Sequence, residues 1–416
     1  MVNSMPQALK YLEDIQGLIT YHRYKSDNVP TLKYLINDLP EDIFQERVKE
    51  FRADYPNVLD MEMYENRRGI HDLILLKEKG DEIIEKERNL PMEEVNKRVA
   101  EYAGTLDDFP QHYSLFEIIT YHLMIRNIKK MIEVCSLSIG LNYPNYIAYG
   151  TISTGGVNAY ALRLENGEGI IILEQDLMHL LHLTAKIIMQ SFLEYDDGNG
   201  KGGLVLEPET IKTLIDNDLN TNPLLRFKDA LFGFLKGSPR EAEAYRMEET
   251  LEQLGSIPLF TAEFFIAAHE FGHIVKEHNK KKRKIFYVNP ETTNETTNHD
   301  KEYEADQIGL QIVIEFNKMH GTPISYGYYG IEMFFIIYDI ASRALNIYKD
   351  RPEETIHENN SHPHYIDRIN ELRRYLKANI SSEMYEASIN LADSMREILE
   401  YFWDKTKGEI GHRNGN

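Results

Sequence analysis

The chain has 416 residues, of which 42% are apolar and 27% charged, as in a soluble globular protein with two or three domains. Its 46 basic and 67 acidic side chains give a formal net charge of −21, so we expect it to bind neither nucleic acid nor an anionic membrane surface. The single cysteine, Cys135, excludes an intramolecular disulfide and any metal site built from several thiolates.

The sequence gives no indication of export or membrane insertion. Residues 1–20 lack a basic segment followed by an apolar run, so we expect no secretory signal. The most apolar stretches, 259–275 and 328–345, are interrupted by charged residues and fall short of the roughly 20 apolar residues that a bilayer requires. We therefore expect a cytoplasmic protein without an integral membrane segment.

Residues 1–140 have helical periodicity and carry no recognisable chemical motif. A capping-box pattern at Ser114 and Glu117 predicts a helix that continues to about Ser138. We interpret this region as a helical N-terminal domain of unassigned role, through which a regulatory protein partner could bind.

The character of the sequence changes after residue 145. Three short runs rich in β-branched and aromatic residues, 146–152, 157–164 and 169–174, are separated by glycine-containing turns. This pattern predicts a small antiparallel meander.

A helix is predicted to follow this meander, beginning near Asp176. Its pair His179 and His182 has a ligand-like spacing, but on an amphipathic helix we favour packing or surface positions for both. Residues 195–258 are interpreted as a helical insert, with Gly255 as a natural helix stop.

The motif His269-Glu270-Phe-Gly-His273 lies in an apolar stretch that favours a helix. Four residues are just over one turn and a rise of roughly 6 Å, so both imidazoles leave the same face and can hold one metal ion. Glu270 is displaced to the side of that face, where its carboxylate can act on the attacking water. Gly272 suggests a close approach by another backbone or by the substrate. The alternative is a structural helix with two hydrogen-bonded histidines.

A catalytic zinc site needs a third protein ligand and an open position. Because no second cysteine exists, this ligand should be a carboxylate or another histidine. Glu302 and Asp306 lie four residues apart on one helical face, so one could bind the metal while the other accepts a hydrogen bond from a ligand imidazole. Glu304 points about 160° away from Asp306 and suits a solvated face better.

A third segment contains His362, followed by proline, and Arg368 six residues later. An imidazole and a guanidinium at this spacing could stabilise negative charge on a carbonyl oxygen. A histidine beside an ordinary salt-bridging arginine is the alternative.

In combination these motifs resemble the gluzincin metallopeptidases, and most closely the CAAX prenyl protease and HtpX-type branch. That branch has His-Glu-x-x-His, then Glu-x-x-Ala-Asp, here Glu302 to Asp306, then His-Pro-x-x-x-x-Arg, here His362 to Arg368. It also has an Asn-Ala-aromatic-Ala edge strand, which matches Asn158, Ala159 and Tyr160 and pairs with the substrate backbone in gluzincins.

The resemblance implies a role for each of these residues. It implies one Zn²⁺ per chain, with Glu270 as general base and Asp306 as the group that orients His269. The implied metal ligands are His269, His273 and Glu302, the implied oxyanion stabilisers are His362 and Arg368, and the implied substrate-binding residues are Asn158, Ala159 and Tyr160.

The expected fold is α+β and predominantly helical. A zincin-like catalytic domain over residues 141–416, with a small antiparallel sheet and an active-site helix, would follow the helical domain of residues 1–140. The membrane spans typical of the branch are absent, and the insert at 195–258 is a further difference, so the identity of the substrate stays open.

The main hypothesis is a zinc-dependent endopeptidase acting on a protein or peptide substrate. An alternative is a zincin scaffold used as a sensor or binding module, for example in phage exclusion or a stress response, whose cleavage is triggered by a partner or lost. A helical interaction protein without metal would leave the ordered motifs unexplained.

Overall fold

The computed structural model describes residues 5–25, 30, 34–35, 39–54, 94, 119–196, 202–243, 245, 247–277, 295–353 and 363–412. In these residues the helices are α1 (Gln7–Tyr24), α2 (Glu41–Ala53), α3 (Ile119–Ser138), α4 (Gln175–Gln190), α5 (Pro208–Asp216), α6 (Asn222–Leu235), α7 (Glu249–Val275), α8 (Glu295–His320), α9 (Tyr328–Tyr348), α10 (Tyr365–Asn379) and α11 (Ser382–His412). The strands are β1 (Ile147–Ile152), β2 (Ala159–Arg163), β3 (Gly169–Glu174), β4 (Leu193–Asp196) and β5 (Gly202–Val205). The predicted α+β, predominantly helical class is confirmed.

The three-stranded sheet is mixed and has the order β1-β3-β2. β1 pairs with β3 in parallel, whereas β2 pairs with β3 antiparallel. The predicted antiparallel meander is therefore wrong in strand order and in the direction of β1. The physical reason lies in burial: β1 and β3 are both buried along their whole length and pair in parallel, whereas β2 has half-buried residues and takes an edge.

Helix α1 covers one face of this sheet, and α2 packs against α1. Their apolar side chains form a single core cluster with Ile170 and Ile172 of β3. Gln16 in α1 donates a hydrogen bond from Nε2 to the carbonyl of Thr151, at 2.8 Å. The side chain of Ile171 points to the opposite face, where it joins the main core with α3, α4 and α7.

Helix α7 runs for 27 residues without a break at Gly255, so the predicted helix stop there is wrong. Gly255 serves close packing instead, since a Cβ atom on it would lie 2.7 Å from Cγ of Met189 in α4. The helix also continues through Pro258, whose carbonyl is approached closely by Gly330 at the beginning of α9. Tertiary packing from α4 and α9 thus outweighs the local helix-breaking tendency of these two residues.

The segment predicted as a helical insert is helical in part. It includes the antiparallel pairing of β4 with β5 and the helices α5 and α6. Helix α6 packs against α4 and α11, and α5 packs against α11. The insert is therefore joined to the main core through these helices.

Helix α7 lies in the middle of the main core. It packs against α8, α9, α4 and the sheet, and its residues from Phe264 to Ile274 are buried. This packing accounts for the apolar character of the segment that holds the histidine motif. Within the described residues, no helix has the combination of length and apolar composition needed to cross a membrane.

Candidate metal centre

Two imidazoles of α7 converge on one point. His269 and His273 are both buried, and their Nε2 atoms lie 3.1 Å apart. Their spacing of four residues, just over one helical turn, places the two rings on the same face of α7.

The carboxylate of Glu302 on α8 faces both imidazoles. Its Oε2 lies 3.5 Å from Nε2 of His269, and its Oε1 lies 3.4 Å from Nε2 of His273. The two helices can approach closely because Gly272 has no side chain: a Cβ atom there would lie 3.0 Å from Cα of Ala305. The close approach expected at Gly272 is thus made by the backbone of α8.

The spacing of these three side chains fits a zinc ion. One ligand atom from each of His269, His273 and Glu302 lies within 4.8 Å of the other two. Ligands placed tetrahedrally at about 2.05 Å from zinc are separated from one another by about 3.3 Å. The two imidazole nitrogens lie 3.1 Å apart, and each lies 3.4 or 3.5 Å from a different oxygen of Glu302, so all three side chains are close enough to share one ion. Two imidazole nitrogens and a carboxylate also form a donor set that zinc accepts, with one position left open.

Asp306 holds the other side of the His269 ring. Its Oδ1 lies 2.9 Å from Nδ1 of His269, which leaves Nε2 directed towards Glu302. Burial alone would lower the pKa of His269, but the hydrogen bond and charge of Asp306 and the hydrogen bond to Glu302 raise this pKa to about 10. The Asp306 contact fixes both the orientation of the ring and which nitrogen is available to a metal.

Arg368 on α10 is bound to the same aspartate. Its Nε donates to Oδ2 of Asp306 and its Nη2 donates to Oδ1, each at 2.7 Å. Nη2 also lies 3.5 Å from Oε2 of Glu302, and the guanidinium group is stacked over the ring of Phe335. Burial by itself would raise the pKa of Asp306, but the charge and hydrogen bonds of Arg368 and His269 lower it. The aspartate is therefore held ionised.

Glu270 is buried beside the ligands, with 8% of its surface exposed. Burial is the main cause that raises the pKa of Tyr160 on β2, and the charge of Glu270 adds to it, which agrees with a position of Glu270 on the side of α7 that faces this strand. Glu304 is at the surface, where it forms an ion pair with Lys276. This position agrees with the solvated face expected for Glu304.

The strand β2 forms an edge of the sheet, and in the described residues β3 is its one partner strand. Glu174 donates from its backbone N–H to the carbonyl of Asn158, at 3.0 Å. Hydrogen-bonded pairs alternate along an antiparallel ladder, so Asn158 and Tyr160 direct their backbone groups towards β3. Ala159 and Ala161 therefore direct theirs away from the sheet, as an added strand would require.

Tyr338 on α9 lies within electrostatic reach of Arg368 and Glu302, and the sequence did not identify it. Burial raises the pKa of Tyr338, and the charges of Arg368 and Glu302 also act on it. Tyr338 in turn contributes to the raised pKa of Tyr160. The two phenols therefore lie on elements that flank the metal ligands, β2 and α9. Tyr338 belongs to no motif, so the sequence contains no signal that would have selected it.

Glu174, the last residue of β3, was also not identified from the sequence. Its carboxylate is 1% exposed and accepts hydrogen bonds from the backbone N–H and the hydroxyl of Thr154, at 3.1 and 2.5 Å. Burial is the main cause that raises its pKa, to about 7. The carboxylate anchors the turn that leads into β2, and a glutamate ending an apolar strand was the available signal.

Two further predictions concern histidines. His362 lies outside the described residues, so its role stays a prediction. His179 and His182 stack on α4 with ring centroids 6.3 Å apart. Burial is the main cause that lowers the pKa of each to about 4, which agrees with the packing interpretation of this pair.

Residues 239–388 match the family model Peptidase U49. The matched segment contains the candidate ligands His269, His273 and Glu302. It also contains Glu270, Asp306 and Arg368. The match indicates a peptidase family and suggests proteolytic activity. A search of curated proteins and a search of solved structures each found no match.

Proposed function

We propose that the protein is a zinc-dependent endopeptidase of the gluzincin type that cleaves a protein substrate and binds one Zn²⁺ per chain. The observation that carries the proposal is the convergence of two imidazole nitrogens and a carboxylate, from His269, His273 and Glu302, whose ligand atoms lie within 4.8 Å of one another. The match of residues 239–388 to a peptidase family supports proteolysis as the reaction.

The chemistry divides between the metal and Glu270. A zinc ion bound to these ligands would polarise the scissile carbonyl and lower the pKa of water towards neutrality. Glu270 acts as the general base, taking a proton from the attacking water and passing it to the leaving amine. Its buried position immediately after His269, rotated about 100° from that ligand around the helix, supports this role.

Asp306 and Arg368 act on the ligands and not on the substrate. Asp306 orients His269. The Nε and Nη2 atoms of Arg368 both donate hydrogen bonds to Asp306. We therefore assign Arg368 as a positioning residue, which differs from the oxyanion role implied by the resemblance. In this proposal His362 retains the oxyanion role.

The substrate would bind as an extended strand along β2. The outward backbone groups of Ala159 and Ala161 suit hydrogen bonding to a peptide. The charge of Glu270 adds to the effect of burial on the pKa of Tyr160, which lies between these two alanines, so the general base is near this strand. The scissile bond would then pass beside the metal ligands. With one cysteine in the chain, we place this activity in the cytoplasm.

The proposal is tested by comparing the wild-type protein with Glu270→Gln. Elemental analysis should find one zinc per chain in both proteins. In a cell lysate, sequencing of new N-termini should find cleavage products with the wild type, and turnover should fall about 100- to 10,000-fold in the variant.

Glu304→Gln is the matched control, because Glu304 is a surface carboxylate on the helix that carries Glu302. It should retain both zinc and cleavage. Equal cleavage by wild type and Glu270→Gln would contradict the assignment of the base. Absence of zinc from the wild-type protein would contradict the metal site itself.

A further inference from the structure

Glu263 is a carboxyl group in an otherwise apolar part of α7. It is the single ionisable side chain between residues 253 and 268. The side chain is half-buried, and in the described part of the chain its carboxyl group makes no hydrogen bond or ion pair. Burial raises the pKa of Glu263 to about 8. A carboxyl group in such surroundings needs a hydrogen-bond donor or a positive charge from elsewhere.

Glu263 lies on the same side of α7 as the general base Glu270. Seven residues separate them, which is 20° short of two full turns, and both follow Pro258 in the same uninterrupted helix. The rise between them is about 10.5 Å. Glu263 therefore lies two turns from the reacting centre, towards the beginning of α7.

Strand β2 runs alongside this side of α7 in the same direction. Arg163 at the end of β2 donates from Nη1 to the carbonyl of Ile274, at 2.7 Å, near the end of α7. Earlier in both elements, the charge of Glu270 in α7 adds to the effect of burial in raising the pKa of Tyr160 in β2. A peptide added to the edge of β2 would therefore run parallel to the axis of α7 and pass Glu270 and Glu263 in turn.

The distance sets the substrate position that would reach Glu263. An extended peptide advances about 3.3 Å per residue, so 10.5 Å corresponds to about three residues. We propose that Glu263 forms a specificity subsite that binds a basic side chain, lysine or arginine, three residues from the bond that is cleaved. The inference rests on the proposed function, because it requires a peptide that lies along β2.

The chemistry favours a basic side chain over the alternatives. A lysine or arginine supplies both the donor and the positive charge that the described surroundings of Glu263 lack. An acidic side chain at that position would be repelled by the ionised form of Glu263, and an aliphatic one would leave the carboxyl group without a partner. A charge-assisted hydrogen bond in a half-buried site corresponds to a preference of about tenfold or more.

The test uses the zinc-loaded full chain and a library of peptides from a proteome digested after aromatic residues, so that basic and acidic residues both remain internal. Wild type should cleave with lysine or arginine enriched about tenfold at the third residue on one side of the cut. Glu263→Gln should abolish that enrichment, and Glu263→Lys should replace it with aspartate or glutamate. Glu304→Gln should leave the wild-type preference unchanged.

A binding measurement makes the test independent of turnover. In a zinc-loaded Glu270→Gln background, fluorescent peptides that differ by arginine, norleucine or glutamate at that position are titrated with and without Glu263→Gln. Preference for arginine should appear with Glu263 and disappear without it. Cleavage or binding without a basic preference, or a preference that survives Glu263→Gln, would overturn the inference. If zinc binds and no peptide is cleaved, the proposed function fails, and the titration alone decides the role of Glu263.

Discussion

Arg368 holds Asp306 by two parallel hydrogen bonds of 2.7 Å, and Asp306 in turn holds Nδ1 of His269 at 2.9 Å. A guanidinium, a carboxylate and an imidazole thus form a chain from α10 through α8 to α7. The end of this chain is the nitrogen of His269 that faces Glu302. Removal of either of the first two members should therefore change the metal affinity.

We predict that Arg368→Ala and Asp306→Asn each weaken zinc binding about 10- to 100-fold. The double variant should lose less than the product of the two, because both act on the same contact. Arg368→Lys should be intermediate, since an ammonium keeps the charge and loses the two-pronged geometry. Competition with a chromophoric chelator measures the affinity. Full zinc affinity with reduced turnover in Arg368→Ala would instead favour the oxyanion role.

The close approach of α7 and α8 predicts the effect of a single methyl group. Gly272→Ala places a Cβ atom 3.0 Å from Cα of Ala305, so we expect a loss of about 1–3 kcal/mol in the free energy of unfolding. Gly408 in α11 is the matched control, because nothing lies within 4 Å of its added Cβ. Gly408→Ala should stabilise the protein by about 0.5–1 kcal/mol. Urea unfolding of the metal-free proteins measures both, and equal effects would contradict the packing argument.

The edge of β2 predicts a defect in substrate binding. Ala159→Pro removes a backbone N–H that points away from β3, so the pairing with β3 should survive and kcat/KM for a peptide should fall about tenfold. Zinc content should be unchanged. Ala159→Val keeps the N–H and serves as the control. A proline variant with wild-type kcat/KM would show that the substrate does not pair with this edge.

The buried carboxylate of Glu174 predicts a pH dependence of stability. In the folded protein its pKa is raised from 4.5 to about 7, mainly by burial, so between these values the folded state holds a proton that the unfolded state has released. The stabilisation is therefore complete below pH 4.5 and is lost as the pH rises through 7. Relative to Glu174→Gln, wild type should lose about 3 kcal/mol of unfolding free energy over that range. Chemical unfolding at several pH values measures this difference, and parallel curves for the two proteins would contradict it.

The sequence determined those features that depend on local spacing. His269 and His273 share a face because four residues make one turn of any α-helix, and the same rule places Glu302 and Asp306 together on α8. The distribution of apolar residues likewise predicted a predominantly helical protein with short strands. Such features require no knowledge of which elements pack together.

The tertiary structure decided the features that depend on contacts between distant segments. Strands β1 and β3, both buried along their whole length, pair with each other and leave β2 at an edge. Helix α7 continues through Gly255 and Pro258 because α4 and α9 pack against those residues. Helix packing also brings Arg368 to Asp306 and places Tyr338 near Arg368 and Glu302. Side chains far apart in the chain meet only where helices pack, and a guanidinium binds the buried carboxylate that packing brings within reach.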